Sequence, residues 1–174
     1  MRVFVAMPLI LLLAVPAVAQ PAPATVDACF IPGGGCGARI VAAIDAAHAE
    51  IRVQAYGFTA APILAALAAA RRRGVDVAVL LDHSDERSLC AHAGALIADG
   101  VPVWIDHPHG IAHNKIMVID RHLVIGGSYN YTARAERRNA ENVLFIDGRE
   151  VAARFLAYWA ARQAGAAVFG ACPS

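Results

Sequence analysis

Val75-Asp-Val-Ala-Val-Leu-Leu81 sets the tightest limit on what this chain can fold into. So uniformly apolar a run, starting after Gly74, reads as a central strand, and such a strand needs cover on both faces. The neighbouring segments can supply it. Ile40, Val41, Ile44 and Ala47 recur at helical spacing, which predicts a helix from Ala38 to Glu50. Ile51 to Phe58 alternates like a strand, and Ala61-Pro62 opens a second helix, rich in Ala and Leu, that Gly74 closes. Ser84 or Asp85 caps a third helix ending at Gly100, and Val101 to Ile105 reads as a further strand. Asn142 to Ile146 is another strand and Val151 to Ala164 a closing amphipathic helix. Strands alternating with helices through right-handed crossovers predict an α/β fold. The expected architecture is a three-layer α/β/α sandwich around a mixed, mostly parallel sheet, formed by one domain over residues 29–174.

The first residues read as an export signal. Arg2 is a positive start, Leu9 to Val18 an apolar segment, and Ala17-Val-Ala19 a small-residue cleavage site before Gln20. Pro8 and Pro16 break the apolar run, which is short of the roughly 20 residues a spanning helix needs. The reading is therefore a signal peptide over residues 1–19, a flexible mature N-terminus over 20–28, and a periplasmic or secreted protein with no stable membrane association after cleavage. Removing Arg2 from the 15 basic residues leaves 14, against 14 acidic ones, so the mature chain is formally neutral. No global basic excess announces a nucleic-acid partner, and polyanion binding would have to come from local clusters. Arg71 to Arg73 is one, though it suits a solvated helix C-terminus; Arg134, Arg137 and Arg138 form the other. Four cysteines in an exported chain point to disulfides. Cys29 and Cys36 bracket Pro32-Gly-Gly-Gly35, a loop able to close on itself, and closing it is worth roughly 2–3 kcal/mol in the chain-entropy model. Cys90 and Cys172 would then pair by default, but sequence alone does not choose among the connectivities.

The polar chemistry concentrates in one stretch. Ile111-Ala-His-Asn-Lys-Ile-Met-Val-Ile-Asp120 reads as a strand entered through His113 and Lys115, whose two-residue spacing puts both on one face. Asp120-Arg-His can turn the chain, and Leu123 to Ser128 can return antiparallel, with Ser128 and Asn130 repeating the spacing. Lys115 is the only lysine, and all four asparagines lie in this quarter of the chain. An imidazole, an ammonium, a hydroxyl and an amide converging on one patch suit transfer at phosphorus. The imidazole is a nucleophile near neutral pH, and the lysine and asparagine donors can stabilise charge on phosphate oxygens without a metal.

His113-x-Lys115-x4-Asp120 followed by Gly127-Ser-x-Asn130 resembles the signature of the phospholipase D superfamily. The likeness continues through Tyr131-Thr-Ala-Arg-Ala-Glu-Arg-Arg-Asn-Ala-Glu-Asn142. Upstream it includes Cys29-Phe-Ile-Pro-Gly-Gly-Gly, Ile51-Arg-Val-Gln-Ala-Tyr and Arg73-Gly-Val-Asp-Val. Together these look like the small exported bacterial endonucleases of that superfamily. The resemblance implies a phospholipase D-like fold and a phosphodiesterase needing no cofactor. His113 would form a covalent phosphohistidine, and Lys115 and Asn130 would bind phosphoryl oxygens, with Ser128 in support. Asp120 would be structural, and Glu141 would orient the histidine ring. Because the motif occurs once, a homodimer would place two His113 residues on one substrate, one as nucleophile and one as acid. The substrate would be DNA or RNA, bound with help from Arg134, Arg137, Arg138 and His109. Phospholipid headgroups are the alternative, and a binding module without catalysis is a third reading.

Other candidates carry less. Asp106-His107-x-His109-x3-His113 has the density of a metal site, but Pro108 and Gly110 make it a loop, so no metal is expected. His48, His83, His92 and His122 show no partners in sequence. Trp104 and Phe58 end strands near the site and suit core packing better than base stacking, while Asp82-His83 follows a strand end that can line a cleft.

Overall fold

A computed structural model describes residues 23–85 and 94–169. The expected leader, residues 20–22, Cys90, His92 and Cys172 lie outside the described residues. The elements in order are β1 (Thr25–Ile31), α1 (Cys36–Asp45), β2 (Glu50–Ala55), α2 (Ala61–Arg72), β3 (Asp76–Asp82) and a 3-10 turn (His83–Asp85). They continue with α3 (Gly94–Ala98), β4 (Val103–Asp106), β5 (Lys115–Ile119), β6 (Leu123–Gly127) and α4 (Ala133–Arg138). The chain ends with β7 (Glu141–Asp147), α5 (Arg149–Ala164) and β8 (Ala167–Val168).

These strands form one mixed sheet of eight, in the order β1-β7-β6-β5-β2-β3-β4-β8. Alternation along each strand divides the two faces. Ile51 and Val53 of β2, Val77 and Val79 of β3, and Met117 and Ile119 of β5 pack with Ile40 and Ile44 of α1, Leu67 of α2 and Leu96 of α3. On the opposite face Ala78, Leu80, Val118 and Val124 meet Ala152 and Trp159 of α5. The Trp159 indole donates to the Val53 carbonyl at 2.8 Å, fixing that helix on the sheet. Helices thus cover both faces, as the run at Val75 to Leu81 requires. Among the described residues no helix is long and apolar enough to cross a membrane.

The expectation that the sheet is mostly parallel does not hold. Only β2–β3 and β3–β4 are parallel, and the other five of the seven pairings are antiparallel. Helical crossovers link only β2, β3 and β4 in parallel, and β5 then enters beside β2 in the reverse sense. A tight turn reverses the chain into β6, and longer connections through α4 and α5 bring in β7 and β8 antiparallel to their neighbours. The flexible N-terminus over 20–28 is likewise corrected, since Thr25 to Ala28 belong to β1 and pair with Asp147 to Leu144 of β7. All four are exposed, so backbone hydrogen bonds at the sheet edge hold this segment, and hydropathy cannot register them. Cys29 and Cys36 are disulfide-bonded and tie β1 to the start of α1.

Candidate active site

The site is assembled where β2, β3 and β6 end and β5 begins. Lys115 opens β5 opposite Ala55 of β2. Its side chain is buried at 7 % exposure, and its ammonium donates to the His113 carbonyl at 2.8 Å. Burial pushes the lysine pKa below its ordinary value, and the Glu141 carboxylate partly opposes that. His113 itself is exposed, and its ring lies 4.6 Å from the Tyr56 ring, edge to face at 61°.

Asp82 secures the loop that carries His113. Fully buried at the end of β3, its carboxylate accepts the Ala112 N–H and both the N–H and the hydroxyl of Ser84. Burial pushes its pKa up, but those hydrogen bonds and the neighbouring His83 outweigh that, so the group lies below the usual aspartate value. The strand end at Asp82-His83 therefore contributes through the backbone of the loop that carries His113.

Beyond β6 the chain approaches β7 closely. Gly127 has φ +151°, and a Cβ there would fall 2.3 Å from the Asn142 carbonyl oxygen, so this position needs glycine. The Ser128 hydroxyl accepts from the Asn142 N–H at 3.0 Å and donates to Glu141. The other Glu141 oxygen takes the Asn139 amide at 2.7 Å. The hydrogen bond expected from the His113 ring to Glu141 is not formed: Ser128 and Asn139 donate to the two carboxylate oxygens instead. Glu141 still acts on the site through its charge on Lys115.

Asn130 lines a cleft that meets these residues at Tyr56. Its Oδ1 is buried and unpartnered, turned toward Gly57, where an added Cβ would lie 3.5 Å away. Tyr56, Gly57, Ser84, Asn130, Arg134 and Asn139 are among the residues lining this cleft of about 760 Å³. Arg134 is placed by α4, whose N-cap Thr132 accepts the Ala135 N–H at 3.1 Å. Tyr56 joins the two halves, since it lines the cleft and touches both His113 and Lys115.

The remaining candidates separate. Arg138 is exposed, and Arg137 donates to the Ala133 carbonyl and lines a neighbouring apolar pocket. His109 lies exposed on its loop. Asp106 gives both oxygens to Arg162 of α5, at 2.6 and 2.9 Å, and His107 stacks on His83 with ring centroids 5.4 Å apart. Trp104, half-buried, packs edge-on against Trp159, and Phe58 is a core residue beside Tyr131, so both serve packing. Asp120 sits at the far end of β5, where its carboxylate accepts the N–H groups of His48, Ala49 and Glu50.

Residues 40–162 match the family model described as "Cardiolipin synthase, PLD-like domain". A protein of Rickettsia felis named "Phospholipase D" is 45% identical over 139 residues, which is 80% of this chain and 70% of that one. The "Mitochondrial cardiolipin hydrolase" of Canis lupus familiaris is 30% identical over 146 residues, 83% of this chain and 58% of that one. Among solved structures, Nuc from Salmonella typhimurium, described as a phospholipase D family member, superimposes with a TM-score of 0.75 at 32% identity. That match covers 84% of this chain and 99% of the other.

Proposed function

This chain belongs to the phospholipase D superfamily of phosphodiesterases, and from that premise we propose that it is a metal-independent endonuclease cleaving DNA or RNA without strong sequence preference. The observation that carries the reading is a polar cleft lined by Tyr56, Asn130 and Arg134, with His113 and Lys115 both against the Tyr56 ring. Cationic and amide groups of this kind grip a phosphate rather than a base, which gives salt-sensitive, non-specific binding. The match to nearly all of the Nuc chain supports the phospholipase D-like fold on which the reading rests.

In the proposed reaction a nitrogen of His113 attacks phosphorus. The P–N bond forms as the P–O bond to the leaving group breaks, and Lys115 and Asn130 hold the phosphoryl oxygens. The His113 of a second copy protonates the departing oxygen and then takes a proton from water. That water attacks phosphorus, the P–N bond breaks, and both imidazoles return to their starting states. The mature protein would act as a homodimer in the periplasm or medium. Mixed dimers of wild type and His113→Ala, purified with two different tags, should lose the ~10²-fold or more that a positioned acid or nucleophile contributes. Full activity per mixed dimer would refute a shared site.

One observation favours a lipid reading. An apolar pocket of about 660 Å³ adjoins the cleft and shares Thr59 and Ala133 with it, and two relatives are named for phospholipid or cardiolipin hydrolysis. The two substrates separate in one comparison. Supercoiled plasmid and RNA should be cut in excess EDTA, more slowly as salt rises, while phosphatidylcholine and cardiolipin vesicles keep their headgroups. Headgroup release with intact plasmid and RNA would move the assignment to lipid.

A further inference from the structure

We propose that Tyr56 is the positioning residue of this site: its one ring sets the orientation of the His113 imidazole and supports the Lys115 ammonium. The inference rests on the reading of His113 as the nucleophile. His113 is exposed, and among the described residues its ring has no side-chain hydrogen bond; the aromatic contact it makes is with Tyr56, centroids 4.6 Å apart at 61°. The ammonium of Lys115 lies 5.2 Å from the centroid of the same ring, within cation–π range.

The ring is itself firmly held. Tyr56 follows Ala55, the last residue of β2, which pairs with Lys115. Downstream, Phe58 bridges to Tyr131, and the N–H groups of Thr59 and Ala60 both donate to the Tyr131 carbonyl at 2.8 Å. Gly57 between them lets Asn130 and Thr132 come close, since an added Cβ would lie 3.1 Å from the Thr132 methyl. The segment is thus fixed on one side to the strand that carries Lys115 and on the other to the chain that carries Asn130. A planar ring there keeps nucleophile, cation and amide in register.

The ring acts on the chemistry in two ways. An exposed imidazole samples several rotamers, and a ring packed against it restricts them toward those that face the cleft. The negative face of the phenol ring also favours the charged form of Lys115, opposing the burial that disfavours it. Neither effect uses the Tyr56 hydroxyl, so phenylalanine should serve in its place.

The test is hydrolysis of bis(p-nitrophenyl) phosphate, a diester with neither base nor acyl chain, by Tyr56→Phe, Tyr56→Leu and His113→Asn. Tyr56→Phe should keep kcat within about threefold, whereas Tyr56→Leu should lose roughly 10- to 100-fold in kcat with KM little changed. In Tyr56→Leu the further loss of activity at high pH that follows deprotonation of Lys115, beyond the limb set by the acidic His113, should move to lower pH, because an ammonium without the ring loses its proton sooner. Should Tyr56→Leu prove unfolded by its melting curve, Tyr56→Met, flexible and of similar length, carries the same comparison. A leucine or methionine variant that folds and keeps the wild-type kcat and pH profile overturns the proposal, as does a phenylalanine variant as impaired as leucine. Full activity in His113→Asn would instead overturn the underlying nucleophile assignment.

Discussion

His113→Asn should lower plasmid cleavage by about 10³-fold or more while leaving the melting temperature essentially unchanged. Asparagine keeps much of the shape of the imidazole and one hydrogen-bonding edge, but it offers no nitrogen lone pair able to form a stable bond to phosphorus. Lys115 and Asn130 would still bind the diester, so the loss should fall on kcat and leave binding largely intact. Because His113 is exposed and outside the core, its replacement removes little packing, and surface changes of this kind are usually worth less than about 0.5 kcal/mol. Running wild type and variant side by side in EDTA makes the result specific. The wild type should cut the plasmid there, because in the proposed mechanism the Lys115 ammonium and the Asn130 amide supply the stabilisation that a metal would otherwise give. A variant retaining a tenth of wild-type activity would remove His113 from the covalent step, and complete inhibition of the wild type by EDTA would remove metal independence.

The hairpin that carries this chemistry was legible because two local rules agree on it. Apolar residues from Ile116 to Ile119 and the turn at Asp120-Arg121, both at positive φ, define a β5–β6 hairpin without reference to the rest of the chain. His113 lies on the loop two residues before β5 opens, so strand period two does not by itself align it with Lys115. The direction of the sheet was not legible in the same way. Whether β5 lies parallel or antiparallel to β2 depends on which edge is free after β2, β3 and β4 have assembled, and that is a non-local fact. β1 and the two-residue β8 are held by ladder hydrogen bonds at exposed edges, which leave little trace in the apolar pattern.

The site divides along the same line. Residue types with spacing were readable: His113, Lys115, Ser128 and Asn130 all come to the end of the hairpin. Pairings across long separations were not. Asp82 holds Ala112 over 30 positions of sequence, and Tyr56 reaches His113 only because β2 and β5 are neighbours. Glu141 was placed in the right neighbourhood but given the wrong partner. Ser128 and Asn139 compete for the carboxylate, and only geometry decides between a hydroxyl, an amide and an imidazole as donors.

Asp120→Ala should cost about 2–4 kcal/mol of stability at neutral pH and leave the specific activity of the folded protein close to wild type. The carboxylate accepts from His48, Ala49 and Glu50 at 2.8–3.0 Å, which closes the link from α1 into β2. Its removal strips three backbone donors of their partner at a segment leading into the core. Asp120 also sits at φ +48°, where asparagine and aspartate are better tolerated than most residues, so Asp120→Asn should fall between the two by keeping the conformation and one acceptor. The pH dependence has a definite sign. Burial pushes the Asp120 pKa up, but the three N–H donors and nearby His48 pull it further down, to below the ordinary value. A carboxylate with a depressed folded pKa contributes stability that is present above the unfolded value near 4 and is lost as pH falls through the folded value. The difference in unfolding free energy between wild type and Asp120→Ala should therefore be full at neutral pH and shrink below about pH 4. Asp120 stands five positions beyond Lys115 along β5, about 17 Å, too far for it to act on the reacting atoms. A variant as stable as wild type in urea, or one that folds but loses kcat, would overturn the structural role.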